Sequence, residues 1–383
     1  MKTAGIICEY NPFHLGHLRQ IQITREILGE DCAIVCVMSG NYVQRGMPAM
    51  WDKFIRAQAA LCCGADLVLE LPITGVLQSA EGFAATGVEI LHRLGCVDYL
   101  SFGAESGSAE TYLKLARDME SEQFKAALRE NLDAGLSYAA ARQHAAEGAE
   151  VLLQTPNNIL ALEYCRAIVR LKSHLKPVVI IRNGDYHDSI PQPGAPSATA
   201  VRNIYPDGDW QAYVPENSAR VLSPAPWYDI TFGERAILAR LRALDDKQWE
   251  CCAHGSEGLW SKAMKAARSQ PDLEGIIGAT KSKRYPRTRI QRLLLCAFLG
   301  ISDHDLKQPV PYVRILSANK TGRHLLRLAK DYDKLLLINP GQTPPIPEYY
   351  AMECRASRLF SLFSAPGHHP NAQLEETGRV FLK

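Results

Sequence analysis

Two histidines flank a glycine in the stretch GIICEYNPFHLGH, residues 5–17. Imidazoles so placed can ligate a metal, move a proton, or donate hydrogen bonds to an anion whose charge grows during a reaction. The spacing of His14 and His17 fits no common zinc motif, although Cys8 and Glu9 lie nearby. Side chains three apart on a helix share a face. Gly16 between them has no Cβ to hold a phosphate away. Backbone N–H groups at a helix N-terminus are unpaired and partly positive, which favours phosphate. Such a turn suits an α-phosphate under attack, stabilised electrostatically with no covalent step on the protein. Satisfied structural histidines are the plain alternative.

A second polar stretch is PSATAVR, residues 196–202. Ser197 reads as a helix N-cap with Thr199 in the first turn. The same hydroxyls could grip phosphate, and the fork of Arg202 suits β- and γ-phosphates bidentately. A third, KSKRYPRTRIQR at 281–292, sets Lys281, Lys283, Arg284, Arg287, Arg289 and Arg292 around Tyr285 with no acidic residue. Pro286 suits the first turn of a helix, on which Arg289 and Arg292 would share an exposed face. Such a face can clamp phosphates and stack a base. A merely solvated helix face is the alternative.

These residues need a scaffold that gathers them. Residues 3–10, 32–38, 66–72, 97–105 and 177–183 are short apolar runs, and helical spacing fills 15–30, 52–64 and 79–95. A further helical stretch covers 108–170. The alternation predicts an α/β fold, a Rossmann-like doubly wound parallel sheet with ligands at the carboxyl ends of its strands. Gly103 and Glu105 fall at one such end, where glycine permits close contact with ribose or adenine. Arg182 and Asn183 fall at another, and a buried strand rarely ends in arginine without a partner. Asn157 and Asn158 open a helix after a proline, so capping is the simple reading. Asp185, His187 and Asp188 fit Mg²⁺ or acid–base work, and loop hydrogen bonds equally well. GNYVQRGMPAM at 40–50 reads as a mobile loop over the reacting group or over a polyanion.

A Pro/Gly-rich loop at 189–200 ends the α/β pattern, a mostly helical region follows over 230–330, and the tail reads as irregular. The expected division is a catalytic domain over 1–210 and a mostly helical, basic domain over 211–383. A chain of 383 residues is long enough for two or three domains. Hydrophobic residues at 46% against 22% charged exclude a disordered chain. No apolar run nears the ~18 residues of a membrane span, and MKTAGIICEY lacks the apolar region of a signal peptide. A cytoplasmic protein with no membrane contact is expected. Eleven cysteines with no Cys-x-x-Cys pair read as buried thiols rather than a disulfide framework. The net charge of +2 conceals a division, because residues 256–330 hold 15 Lys and Arg against 5 Asp and Glu. That local excess of +10, against −8 elsewhere, suggests that one region meets a polyanion.

NPFHLGH resembles the HxGH signature of the nucleotidylyltransferase superfamily, and PSATAVR resembles its second signature, a Ser/Thr pair followed by Arg at a helix start. In order, GIICEYNPFHLGH, VMSGNYVQRGMPA, DLVLELP, SFGAES, TPNNILALEY, DYHD, SATAVR, EGLW and KRYPRTRIQRLL resemble, as a set, the bacterial tRNA(Met) cytidine acetate ligase family. The likeness runs over about residues 1–340. It implies that ATP, with Mg²⁺ on its triphosphate, and acetate form acetyladenylate. The acetyl group then passes to N4 of the wobble cytidine of elongator tRNA(Met). It implies catalysis by His14 and His17, with no protein-bound metal. It implies ATP contacts along Ile7, Cys8, Glu9, Tyr10, Asn11, Pro12, Phe13, His14, Leu15, Gly16, His17 and Gln20. Others fall to Gly103, Asn157 or Asn158, Arg182, Asn183, Ser197, Thr199 and Arg202, while the basic stretch 281–292 faces the tRNA. An adenylyltransferase making a dinucleotide-type cofactor from a small phosphate ester is the alternative, which has no use for that basic stretch. An RNA-binding protein with a regulatory nucleotide site is a third reading, which two intact signatures disfavour.

Overall fold

The computed structural model describes residues 1–136, 138–146, 150–182, 196–330 and 335–383. Five strands form where the apolar runs predict them: β1 (Thr3–Cys8), β2 (Ala33–Ser39), β3 (Leu67–Leu71), β4 (Tyr99–Ala104) and β5 (Lys176–Ile181). They pair in parallel, β3–β2–β1–β4–β5, with Gly5 opposite Val35 and Gly103 opposite Ile180. Side chains alternate between two helical layers. Ala4, Ile6, Cys36 and Met38 pack with Ile21 and Leu28 of α1 (Leu15–Leu28) and with Ala57 and Ala60 of α2 (Lys53–Cys62). Ile7, Val35, Val37 and Leu69 pack with Phe83 and Leu91 of α3 (Ala80–Leu94) and with Leu162 of α4 (Pro156–Arg170). The sheet is doubly wound.

The later chain supplies α5 (Ala198–Ile204), α6 (Leu259–Ser269), α7 (Leu273–Thr280) and α8 (Arg287–Leu299). The tail is ordered into α9 (Pro347–Phe360) and α10 (Leu374–Thr377) rather than irregular. Three further strands appear where helix or loop was expected: β6 (Tyr312–Ala318), β7 (Leu336–Ile338) and β8 (Phe381–Leu382). β6 pairs antiparallel with β3 and takes β7 and β8 beside it, so the later chain closes one edge of the same sheet.

Arg314 breaks the apolar run of β6, which hides the strand in the sequence, yet β6 is wholly buried. Its guanidinium is paired inside, 2.8 Å from Glu70 of β3, 3.0 Å from Glu353 of α9 and 2.7 Å from Glu375 of α10. Lys53 of α2 joins them, 2.9 Å from Glu70. Unpaired, any of these charges would be costly to bury. Together they fasten the tail to the sheet.

All eleven cysteines are free. Among the described residues, no helix is long and apolar enough to cross a membrane.

Candidate active site

β1 delivers the first site residues. Past Cys8 the chain leaves the sheet at Tyr10, whose φ of +45° lies in the left-handed region that bulky residues rarely adopt. Asn11 pins the turn from two sides. Its Oδ1 accepts from the Met50 N–H at 2.7 Å, and its carbonyl accepts from Arg202 of α5. Pro12 and Phe13 go into the core, where the Phe13 ring packs 4.7 Å from Tyr10.

His14 is the N-cap of α1. Its Nδ1 accepts from the Gly16 N–H at 3.0 Å, while the His17 Nδ1 accepts from the His14 N–H at 3.3 Å. The result is a capping box made of two imidazoles. Each ring uses Nδ1 as the acceptor, so a neutral ring carries its proton on Nε2. Both rings are held neutral. Burial, helped by Arg182 and Arg202, lowers His14 to about 3. Burial, then His14 and Arg182, holds His17 well below the usual imidazole range. The pair therefore offers two N–H donors. The space over Gly16 is not open for a phosphate, as its Cβ would meet the His14 ring at 2.9 Å. Glycine here lets that ring fold back over the turn.

The imidazoles line a cleft of about 460 Å³. Ile7, Cys8, Glu9, Tyr10, Asn11 and Gln20 share its wall with Gly103 of β4, Asn157 of α4, Arg182 after β5, and Ser197 before α5. Five separated stretches thus meet at the carboxyl edge of the sheet. Pro12, Phe13, Leu15, Gly16 and Asn158 do not line the cleft. Asn183, Asp185, His187 and Asp188 lie outside the described residues. Gly103 makes room for the stem of Arg182, whose Cδ a Cβ would meet at 2.8 Å. The stem of Arg182 thus occupies the direction of the missing Cβ, while Gly103 itself still lines the cleft.

Asn157 and Asn158, adjacent in sequence, separate in space. Asn158 is buried, and its Oδ1 accepts from the N–H of Glu105 at 2.8 Å and of Ser106 at 3.1 Å. Asn157 faces the cleft, its Nδ2 donating to Glu105 at 2.7 Å. Glu105 also accepts from the Asn158 N–H at 2.8 Å and from Thr155 Oγ1 at 2.9 Å, so its carboxylate caps the positive end of α4.

Ser197 Oγ accepts from the Ala200 N–H at 3.0 Å as the N-cap of α5, and Thr199 Oγ1 accepts from Arg202 at 3.1 Å. Thr199 and Arg202 face a second cavity of about 360 Å³. Its wall shares Glu9, Asn11, Arg45, Ser197 and Ala198 with the first. Residues outside the sequence expectation also line the cleft, namely Gln44 and Arg45 between the paired strands Tyr42–Val43 and Met47–Pro48, with Phe83, Tyr164 and Thr288. The GNYVQRG stretch signalled a loop here, whereas Thr288 lies in the basic stretch 281–292, which signalled a polyanion rather than this cleft.

Thr288 belongs to α8, so the basic segment borders the cleft directly. Lys281, Lys283, Arg284 and Arg287 are exposed. Tyr285 sits between two guanidiniums, 5.9 Å from Arg284 and 5.7 Å from Arg289. The segment lacks acids only in sequence. In space Glu274 of α7 clasps Arg287, and Glu257 lies 3.0 Å from Arg289 and 3.5 Å from Arg284. Arg292 is buried, contrary to the expected exposed face, and burial draws its guanidinium down to about 10. Gly46 packs on its backbone, where a Cβ would stand 2.6 Å from the Arg292 nitrogen, and the guanidinium donates to the Gln44 carbonyl at 3.4 Å. The turn carrying Gln44 presses against α8 there and covers Arg292.

A parallel sheet with paired imidazoles at the first strand–helix turn defines a nucleotidyl transferase, and the model of the HIGH nucleotidyl transferase family matches residues 1–375. The chain belongs to that family, in its tRNA(Met) cytidine acetate ligase branch. The tRNA(Met) cytidine acetate ligase of Halothermothrix orenii is 37% identical over 375 residues, covering 88% of this chain and 87% of that one. Its counterpart from Acetivibrio thermocellus is 35% identical over 367 residues, covering 88% of each. Among solved structures, Thermotoga maritima TmcAL matches over 100% of both chains at 28% identity. The TM-score is 0.91 for its apo form and 0.90 for the form bound with alpha-thio ATP.

Proposed function

We propose that this enzyme is a cytoplasmic, ATP-dependent acetate ligase. It makes acetyladenylate and passes the acetyl group to N4 of the wobble cytidine of elongator tRNA(Met), giving N4-acetylcytidine. One observation carries the reading: two neutral imidazoles, held by the backbone N–H groups of Gly16 and His14, offer two Nε2–H donors in a cleft that also holds Arg182. An acetate oxygen attacks the α-phosphorus and pyrophosphate leaves. As charge spreads over the α-phosphate oxygens, His14 and His17 donate to them. Preorganised donors of this kind contribute about 10²–10³ each in rate. Arg182 and Arg202 supply positive charge, and Ser197 and Thr199 sit beside the β- and γ-phosphates. Of the two asparagines, Asn157 makes the contact with ATP.

Among the described residues, no group of three or more His, Cys, Asp or Glu is placed to hold a metal ion. Mg²⁺ would arrive with ATP, on the oxygens of its triphosphate. We assign ATP chemistry to residues 1–210 and tRNA binding to 211–383, with α8 as the meeting point. The names of the relatives support tRNA(Met) and acetate, and the alpha-thio ATP in TmcAL supports ATP. ATP–pyrophosphate exchange against a panel of small carboxylic acids tests the reading. Acetate-dependent exchange is expected without RNA. Exchange only with a small phosphate ester would favour the adenylyltransferase alternative.

A further inference from the structure

We propose that Glu9 is the general base of the transfer step, its carboxylate taking the proton that the acceptor's exocyclic amine must lose. The inference rests on the ligase reading above. When the amine attacks the acetyl carbonyl, an N–C bond forms and the C–O bond to the adenylate phosphate breaks. AMP leaves with that electron pair, and one N–H proton has to go elsewhere. The amine of a cytosine is conjugated with its ring and weakly nucleophilic, so a positioned base matters.

The cleft has few candidates. His14 and His17 cannot serve, because each Nδ1 already accepts a backbone N–H and each Nε2 carries a proton. Burial pushes the Cys8 thiol and the Tyr10 and Tyr164 phenols well above their ordinary values, leaving them protonated. Arginines have no free acceptor. Among the described residues lining the cleft, Glu9 is the only carboxylate. Asp229 lines just the second cavity, and its Oδ1 is taken by the Thr231 N–H and hydroxyl at the start of its own helix.

Geometry favours Glu9 as well. It directly follows β1, is half-buried, and stands in the wall common to both cavities. Its Oε1 accepts from the Gln44 N–H at 2.7 Å, while Oε2 has no hydrogen bond among the described residues. The carboxylate is thus held by one oxygen and presents the other. The turn carrying Gln44 presses on α8, whose Thr288 lines the same cleft. A nucleotide of an RNA lying on α8 would reach the acetyl group past this turn, on the side where Glu9 waits.

Glu9→Gln keeps the oxygen that accepts from Gln44 and removes the basicity, so it separates chemistry from scaffolding. With full-length protein and a tRNA(Met) transcript, single-turnover transfer from enzyme-bound acetyladenylate should fall by about 10²–10⁴. The loss in acetate-dependent pyrophosphate exchange should be at least about tenfold smaller than the loss in transfer, because the nucleophile of that half-reaction is already an anion. Hydroxylamine, a stronger nucleophile that loses its proton readily, should trap acetyladenylate with a smaller gap between variant and wild type than tRNA transfer shows. Transfer within tenfold of wild type would overturn the assignment. So would equal losses in transfer and exchange, which would place Glu9 in ATP binding. A wild-type enzyme that shows no acetate-dependent exchange would instead overturn the ligase reading itself.

Discussion

The imidazole rings of His14 and His17 stack, with centroids 3.7 Å apart and planes at 25°. Two charged rings at that distance, with Arg182 and Arg202 nearby, would repel strongly. The stack is stable as a neutral pair, and neutrality is what leaves each ring a donor fixed on Nε2. The pH dependence follows. Pyrophosphate exchange should show no inflection near 6.5, where an ordinary histidine titrates. The folded value of His14 is depressed to about 3, so its contribution to stability is full above the unfolded value. It is lost as pH falls from ~6.5 toward that value, at up to ~1.4 kcal/mol per pH unit. A pH–rate profile of exchange, run beside thermal melts, checks both. An exchange inflection near 6.5 would mean that a charged imidazole takes part.

His17→Ala removes one donor to the α-phosphate and half of the capping box. Exchange should fall by about 10²–10³. Stability should fall by less than the ~0.5–2 kcal/mol of losing an N-cap, because His14 keeps its bond from the Gly16 N–H. Urea unfolding and exchange on the same preparation separate the two. A folded His17→Ala with full exchange activity would remove His17 from the chemistry.

Gly16→Val acts on the histidines rather than on open space. The new Cβ would lie 2.9 Å from the His14 ring, which has to swing off the turn and give up its bond to the backbone of residue 16. Exchange is expected to collapse further than the affinity for a non-hydrolysable ATP analogue measured by calorimetry. Unchanged exchange would show that the ring can move without loss of function.

The strand–turn–helix around His14 was legible because all its signals are local: an apolar run, an Asn-Pro turn and a helical repeat follow one another. The five parallel strands were legible for the same reason. What escaped was set by partners distant in sequence. Arg314 makes β6 look unlike a strand until Glu70, Glu353 and Glu375 are seen around it. Arg292 looks exposed on a helical wheel and is buried, with the Gln44–Gly46 turn from far upstream packed against it. Asn157 and Asn158 have the same sequence surroundings, and only the carboxylate of Glu105 and the backbone of Ser106 separate their roles.

Changing Arg284, Arg287 and Arg289 together to Ala tests the proposed division of labour. Their partners Glu257 and Glu274 are well exposed, and surface pairs of this kind are worth about 0–1 kcal/mol each, so the fold should survive. Affinity for tRNA should drop strongly, and the slope of log affinity against log salt should flatten by about 2–3 if each arginine meets one phosphate. The change also leaves Glu257 and Glu274 as unpaired anions on that surface, so the loss should exceed that of three cations alone. Acetate-dependent exchange without RNA should change by less than about tenfold, because the donors of that step lie on α1 and Thr288 stays in place. Filter binding across a salt series and exchange on the same protein give both numbers. Exchange that collapses while tRNA affinity holds would place residues 281–292 in the ATP site, and would end the assignment of RNA binding to the later part of the chain.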